Sequence, residues 1–139
     1  MQMTIAGNAD AVRQALRGLA DSPLFLSLTQ DLRSSAEIVL AEVLNNVVEH
    51  AYALTQGDIV LAVTRQAQGL ACTILDTGAV MPGLCLPKGR LQPLGLTEDL
   101  PEGGFGWFLI RTLARKLDYH HADGVNRLSF IVIGEQTGT

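Results

Sequence analysis

The chain has 139 residues, of which 47% are hydrophobic and 17% charged, so it has enough apolar material for the core of one domain. Its net charge is −4 and its ten Lys and Arg residues are scattered singly, which argues against a nucleic-acid partner. Because it lacks a signal core and an uncharged apolar run of about 18 residues, we expect a cytoplasmic protein without a membrane partner.

The first half of the chain is predicted to form a strand, two helices and a strand pair. The segment "MTI" is a short strand, and Asn8 can cap a helix from Ala9 to about Ala20. A long helical pattern follows from about Asp31 to Ala53. Two β-branched runs, "DIVLAVTR" and "LACTILD", are joined at Gln68-Gly69 and predict an antiparallel pair.

The second half is predicted to form a lid, a helix and a closing hairpin. A loop from Thr77 to Glu102 holds four prolines, and a loop of this length is typical of a functional lid, bounded at about residues 77–103. In "GGFGWFLIRTLARKL" a glycine turn opens a helix, and "DYHHA" and "RLSFIVI" flank a turn at Asp123-Gly124. This order predicts an α+β fold, a two-layer α/β sandwich over residues 1–139, with a mixed, mostly antiparallel sheet and helices on one face.

One face of the long helix carries polar groups without a basic partner. In "AEVLNNVVEHAY" the side chains of Glu42, Asn46 and His50 fall within one arc, and no Lys or Arg occurs between Arg33 and Arg65. A solvated face is the ordinary explanation, but such faces gain from acid-to-base pairs, which are missing here. Mg²⁺ would supply the positive charge through the Asn46 oxygen and substrate phosphates. Glu42, one turn earlier, would then suit a general base.

The segment "TILDTGAVMPG" contains the Asp-Thr-Gly of a retroviral-type aspartic protease. The later segments "GGFGWF" and "IVIGEQ" follow in the order of that protease's flap and late strand. However, that fold is almost entirely β, whereas about half of the chain before Asp76 has a helical pattern. A protease also leaves the polar helix face without a role. A third interpretation gives Asp76 only a turn-stabilising role over Thr77-Gly78.

The segment "EVLNNVVEHA" resembles the N box of the Bergerat-fold (GHKL) ATP-binding superfamily, which includes gyrase, a heat-shock chaperone, histidine kinases and MutL. The matching positions are Glu42, Asn46, His50 and Ala51. The resemblance implies that Asn46 binds Mg²⁺, that His50 belongs to the nucleotide site and that Glu42 is the catalytic base. A glutamate at position 42 favours the gyrase-like and serine-kinase branches over histidine kinases.

Two glycine segments also resemble boxes of this superfamily, in the right order. Asp76 and Gly78 resemble the first box, in which the aspartate accepts a hydrogen bond from the adenine amine. The glycines of "EGGFGWFLIR" resemble the second, phosphate-binding box, with Gly104 and Gly106 facing phosphate and Gly103 extending the turn. A glycine turn before a core helix is the simpler explanation of that segment taken alone.

Two cations of the predicted lid are candidates for a phosphate contact. Lys88 and Arg90 are the only basic residues between Arg65 and Arg111. We expect one of them to reach a phosphate when the lid closes, and a solvated loop charge is the alternative.

Within the superfamily, the chain most resembles the freestanding anti-sigma-factor serine/threonine kinases. It is of their length, has no dimerisation helix with a phospho-acceptor histidine and no transducer domain, and shares their ending, with Tyr119 and with Asn126 opening the last strand. The resemblance implies ATP and Mg²⁺ as cofactors, a STAS-domain anti-anti-sigma protein as the substrate, a sigma factor as a second candidate partner, and a homodimer. The alternatives are a non-catalytic, nucleotide-gated binding module of the same fold and, more remotely, the aspartic protease.

Overall fold

The computed structural model describes residues 1–87 and 104–134. Five strands form one sheet in the order β1-β2-β3-β5-β4, and every pair is antiparallel, so the sheet predicted as mixed is uniformly antiparallel in this part of the chain. The strands are β1 (Gln2–Ala6), β2 (Asp58–Gln66), β3 (Gly69–Asp76), β4 (Ala114–Ala122) and β5 (Val125–Val132). The helices are α1 (Ala9–Ala20), α2 (Pro23–Leu26), α3 (Gln30–Asn46) and α4 (Gly104–Leu113).

The core lies between one face of the sheet and the helices. Alternate residues of the central strands are buried, because successive side chains of a strand point to opposite faces. These inward residues are Ile59, Leu61 and Val63 of β2, Leu70, Cys72 and Ile74 of β3, and Leu128, Phe130 and Val132 of β5. They share a cluster with Ala36, Val39, Leu40, Val43 and Leu44 of α3. The predicted α+β sandwich is therefore confirmed.

Side-chain caps fix where the N-terminal helices begin. The Asn8 side chain accepts a hydrogen bond from the Ala11 amide at 2.8 Å, so the predicted cap of α1 is confirmed. Thr29 caps α3 in the same way, through the Leu32 amide at 3.2 Å. The short α2 was not predicted; Ser22 caps it, and Phe25 anchors it in the core.

The long helical segment predicted from about Asp31 to Ala53 is present to Ala51, but its last turn is not α-helical. The α-helix ends at Asn46 and continues as one π-helical turn over Val47–Ala51, in which the Tyr52 amide donates to the Val47 carbonyl at 3.0 Å. The buried Tyr52 then donates its hydroxyl hydrogen to the Asp58 carbonyl at 2.6 Å and accepts from the Thr77 amide at 2.9 Å. The wider turn thus places the Tyr52 side chain between the start of β2 and the residue that follows β3.

The predicted helix over "WFLIRTLARKL" is too long. It ends at Leu113, and Ala114 begins β4 opposite Val132. The Leu113 carbonyl accepts from the Ile133 amide at 3.1 Å, so pairing with β5 replaces the next helical hydrogen bond. On α4, Trp107 and Ile110 are buried, Leu113 is partly buried and Phe108 is 37% exposed.

The described helices are all too short or too polar to cross a membrane.

Candidate functional site

The polar face of α3 lies against the first turn of α4. A β-carbon added at Gly106 would stand 2.6 Å from Glu42 Oε2 and 3.7 Å from Asn46 Nδ2. Real β-carbons do not approach an oxygen that closely, so a side chain at position 106 would displace the Glu42 carboxylate from the place it occupies beside α4. Residues 60 positions apart in the sequence thus form one polar cluster, as the resemblance implies.

The Asn46 side chain is oriented by its own helix. Its Nδ2 donates to the Glu42 carbonyl at 2.8 Å, one turn back along α3. Because the amide nitrogen is used in this way, the carbonyl oxygen Oδ1 points away from the helix backbone. No donor among the described residues reaches Oδ1, so it is available as an oxygen ligand for a hard cation.

The π-helical turn at the end of α3 joins the segment that follows β3. The Ala79 amide donates to the Ala51 carbonyl at 2.8 Å. A β-carbon at Gly78 would overlap that carbonyl and the Ala51 side chain, so this contact requires glycine. The predicted first glycine box is therefore attached directly to the end of the predicted N box.

Asp76 closes β3 and is only 7% exposed. Its Oδ1 accepts two hydrogen bonds, from the Gly78 amide at 2.9 Å and from Asn126 Nδ2 at 2.8 Å. The first is the local turn contact that the sequence offered as an alternative role for Asp76. The second joins β3 to β5 across positions that face each other in the sheet. No donor among the described residues reaches Oδ2.

Asn126 is buried, and its amide is used at both ends. In addition to Asp76, its Nδ2 reaches the carbonyls of Gly78 and Ala79, each at 3.1 Å. Its Oδ1 accepts from the Tyr119 hydroxyl at 2.6 Å and lies 2.9 Å from His121 Nδ1. Since Oδ1 of an amide only accepts, His121 must carry its hydrogen on Nδ1 for this contact.

The same network reaches the first residues of the predicted lid. The Tyr119 oxygen accepts from the Met81 amide at 2.9 Å while its hydrogen goes to Asn126. Met81 lies five residues after Asp76 and directly before a 3-10 turn over Pro82–Leu84. At the far end of the described lid segment, Arg111 Nε of α4 donates to the Pro87 carbonyl at 2.8 Å.

Several predicted site residues are not joined to these contacts. His50 is exposed on the π-helical turn, and no hydrogen bond links it to another described side chain. Lys88, Arg90 and Gly103 lie outside the described residues. Gly104 is the first residue of α4, at the position where a helix offers free N–H groups.

Asn126, Tyr119 and His121 belong to this network without having been predicted as site residues, although the sequence holds a signal for Asn126. Asn126 has the same parity along β5 as the apolar residues 128, 130 and 132, so alternation places it on the buried face. A buried amide requires partners. The nearest candidates were those at the end of the neighbouring strand.

A protein-family model described as the histidine kinase-like ATPase domain matches residues 5–132. The chain belongs to this family. Family membership implies the use of ATP and agrees with the predicted Bergerat-fold resemblance, which is confirmed. The helices and the glycine-led α4 also exclude the all-β protease fold.

This histidine kinase-like ATPase domain is similar to bacterial proteins named serine-protein kinase RsbW. It is 27% identical over 134 residues to the one from Bacillus mycoides (strain KBAB4), covering 92% of this chain and 81% of that protein. The identity and coverage are the same for the one from Bacillus thuringiensis (strain Al Hakam). These relatives support an anti-sigma-factor type of kinase family.

The fold is also similar to a crystal structure of the RsbU and RsbW domains of one Mycobacterium tuberculosis protein. The TM-score is 0.63 at 16% identity, and the match covers 97% of this chain. The chain spans about a third of that longer structure, 32% of its length. At this identity the likeness supports the fold alone.

Proposed function

We propose that this protein is a Mg-ATP-dependent serine/threonine kinase that phosphorylates a STAS-domain anti-anti-sigma protein. The observation that carries the proposal is the contact of Gly106 with Glu42 and Asn46, since it joins a candidate base, a candidate metal ligand and a helix start. The kinase names of the relatives support the same reaction class.

The nucleotide would be held between the end of β3 and the start of α4. Asp76 Oδ2, which the described residues leave without a donor, would accept from the adenine amine. Gly78, whose amide bonds Oδ1 of the same carboxylate, packs directly against the Ala51 backbone. The backbone N–H groups of Gly104 and Gly106 in the first turn of α4 suit phosphate, and Gly103 remains a predicted phosphate contact.

The donor set on α3 fits Mg²⁺. The oriented Oδ1 of Asn46 is a hard oxygen ligand, and substrate phosphates and water would complete a coordination shell of the kind Mg²⁺ prefers. The ion would neutralise negative charge on the phosphates. No trio of His, Cys, Asp or Glu side chains gathers as a metal site within residues 1–87 and 104–134, so a protein share of one or two ligands is the arrangement we propose. His50, Lys88 and Arg90 remain predicted phosphate or nucleotide contacts.

Phosphoryl transfer would use Glu42 as the base. Glu42 takes the proton of the acceptor serine or threonine hydroxyl, whose oxygen forms a bond to the γ-phosphorus. The bond from that phosphorus to the β–γ bridging oxygen breaks, and ADP leaves. Backbone dipoles at the start of α4 stabilise the charge that spreads over the transferring group. A sigma factor as a second partner, a homodimer and a cytoplasmic location belong to the same proposal.

A phosphate-transfer assay tests the proposal. The protein is incubated with Mg²⁺, γ-labelled ATP and candidate STAS-domain proteins, and labelled partner is counted. We expect transfer by the wild type, with Glu42→Gln slowing it by about 10²- to 10⁴-fold, the usual contribution of a general base. Asn46→Ala should weaken Mg-ATP binding as well. Equal binding and transfer by Asn46→Ala would refute the assignment, and binding without transfer by the wild type would support the non-catalytic module instead.

A further inference from the structure

The Asp76 carboxylate is held from one side only. Both donors among the described residues, the Gly78 amide and Asn126 Nδ2, bond to Oδ1, and none of these residues reaches Oδ2. The oxygens of an aspartate carboxylate accept hydrogen bonds and do not donate them. Oδ2 therefore presents an acceptor of fixed position to whatever binds beside β3.

The Asn126 amide cannot turn over without losing hydrogen bonds. The Tyr119 oxygen accepts from the Met81 amide, so its own hydrogen must point to Asn126 Oδ1. That bond fixes Oδ1 on one side and Nδ2 on the other, toward Asp76. With the amide reversed, two acceptors would face each other at Asp76 and two donors at Tyr119.

We propose that Asn126 is a positioning residue for base selection. By holding Oδ1 of Asp76, it leaves Oδ2 as the acceptor that faces the ligand. This arrangement favours a ligand donor such as the 6-amino group of adenine and disfavours a ligand acceptor such as a 6-carbonyl group. The inference rests on the proposed nucleotide site and names a residue that determines its specificity. A site built to pair a polar group rejects the mispaired analogue strongly, because its own buried group is then left unpaired.

The same amide is bonded to the first residues after β3. Through Nδ2 it bonds the carbonyls of Gly78 and Ala79, and through Tyr119 it reaches the Met81 amide. These residues are thus attached to the side chain that holds Asp76 Oδ1.

ATP and ITP provide the matched ligand pair, because ITP carries a 6-carbonyl in place of the 6-amino group. Dissociation constants of both Mg-nucleotides are measured for the wild type, Asn126→Leu and Asn126→Ser. We expect Asn126→Leu to weaken ATP binding by about 10-fold or more and ITP binding by less than about 3-fold, because only the ATP complex uses the oriented acceptor. Asn126→Ser, which is shorter and polar, should change the ATP to ITP ratio in the same direction.

A control separates specificity from stability. Phe130→Leu removes buried volume from β5 two inward positions away from Asn126 and should leave the ATP to ITP ratio unchanged. In the ¹⁵N-labelled wild type, the Asn126 side-chain amide resonance should shift with Mg-ATP and not with Mg-pyrophosphate. A ratio within about twofold of wild type in a folded Asn126 variant, or an unmoved amide resonance, would overturn the inference, since either means that the amide does not sense the base.

The binding constants of ATP and ITP distinguish an error in the role of Asn126 from an error in the proposed nucleotide site. If the wild type binds neither nucleotide, or binds both equally, the adenine site itself is wrong. If the wild type prefers ATP and Asp76→Asn loses that preference while the Asn126 variants keep it, only the positioning role of Asn126 is wrong.

Discussion

Gly106 lies so close to Glu42 that a single added carbon would stand 2.6 Å from the carboxylate oxygen Oε2. The two residues belong to different helices, and the carboxylate occupies space that a side chain at position 106 would need. A glycine 64 residues further along the chain therefore permits the present position of the candidate base. Substitution at this glycine should affect chemistry more than folding.

Gly106→Ala should displace the Glu42 carboxylate, or shift α4 away from it. A misplacement of about 1 Å can cost about 10²-fold in rate, so we expect phosphate transfer to fall by about 10- to 100-fold while Mg-ATP affinity falls less. Single-turnover transfer and equilibrium binding measure the two effects. Gly18→Ala is the matched control, since a β-carbon there meets nothing within 4 Å. Unchanged transfer by Gly106→Ala would contradict a catalytic role for this contact.

Gly78→Ala should destabilise the fold as well as the site. Its β-carbon would overlap the Ala51 carbonyl, a backbone atom that already accepts from the Ala79 amide. Overpacking of this kind costs about 1–3 kcal/mol, so the free energy of unfolding should fall by that amount in urea titrations. Gly18→Ala, in the exposed part of α1, should instead stabilise by about 0.5–1 kcal/mol. The prediction fails if the two variants have equal stability.

Asp76→Asn should reverse the preference for the base. Oδ1 of the new side chain can still accept from the Gly78 amide and Asn126, which leaves an NH₂ group where Oδ2 was. A donor in that place meets the adenine amine unfavourably and the ITP carbonyl favourably, so ATP affinity should fall by about 10-fold or more and ITP affinity should rise. Calorimetric titrations with both nucleotides measure this. No peptide bond should be cut by either form, and acid-dependent peptidase activity lost in the variant would restore the protease interpretation.

The free energy of unfolding should depend on pH in the alkaline range because of Cys72. Burial raises the pKa of its thiol from an ordinary value of 9.0 to about 12. The unfolded chain therefore loses this proton first, so the stability present below pH 9 is lost as pH rises toward 12. Between pH 7 and 10.5 the effect on the unfolding free energy is about 2 kcal/mol. Over this pH range the unfolding free energy of the wild type, measured by urea titration, should fall by about 2 kcal/mol more than that of Cys72→Val. If the unfolding free energies of the two proteins change in parallel with pH, the thiol does not titrate in this way.

The parts of the fold that follow from the sequence are those specified by local chemistry and regular periodicity. Asn8 predicts the start of α1 because a cap is a contact within one turn, and the inward residues of β2 and β3 alternate clearly. The end of α4 could not be predicted, because residues from Ala114 onward have helical spacing but gain more from pairing with β5. The short α2 gives too little sequence for a period to be recognised.

The candidate site was predictable where it resembles known motifs and hidden where it depends on strand register. Glu42 and Asn46 are one helical turn apart, so their common face is a local property. The bond between Asp76 and Asn126 depends on which residues of β3 and β5 stand opposite, and that register is decided by the whole sheet. A buried asparagine on a strand was the available sign that such a partner existed.

The Tyr52 ring packs against two glycines, and this packing limits how the three positions can change in evolution. Added β-carbons at Gly7 and Gly57 would stand 2.5 and 2.7 Å from its ring atoms, and its hydroxyl bonds the starts of two further segments, at Asp58 and Thr77. A larger residue at Gly57 is therefore compatible only with a smaller side chain at position 52, and one at Gly7 would in addition meet the Gly57 carbonyl oxygen at 2.6 Å. Loss of the Tyr52 ring leaves a void that the glycines cannot fill. Across divergent descendants of this fold, the three positions are expected to covary, with tyrosine and both glycines inherited as a set.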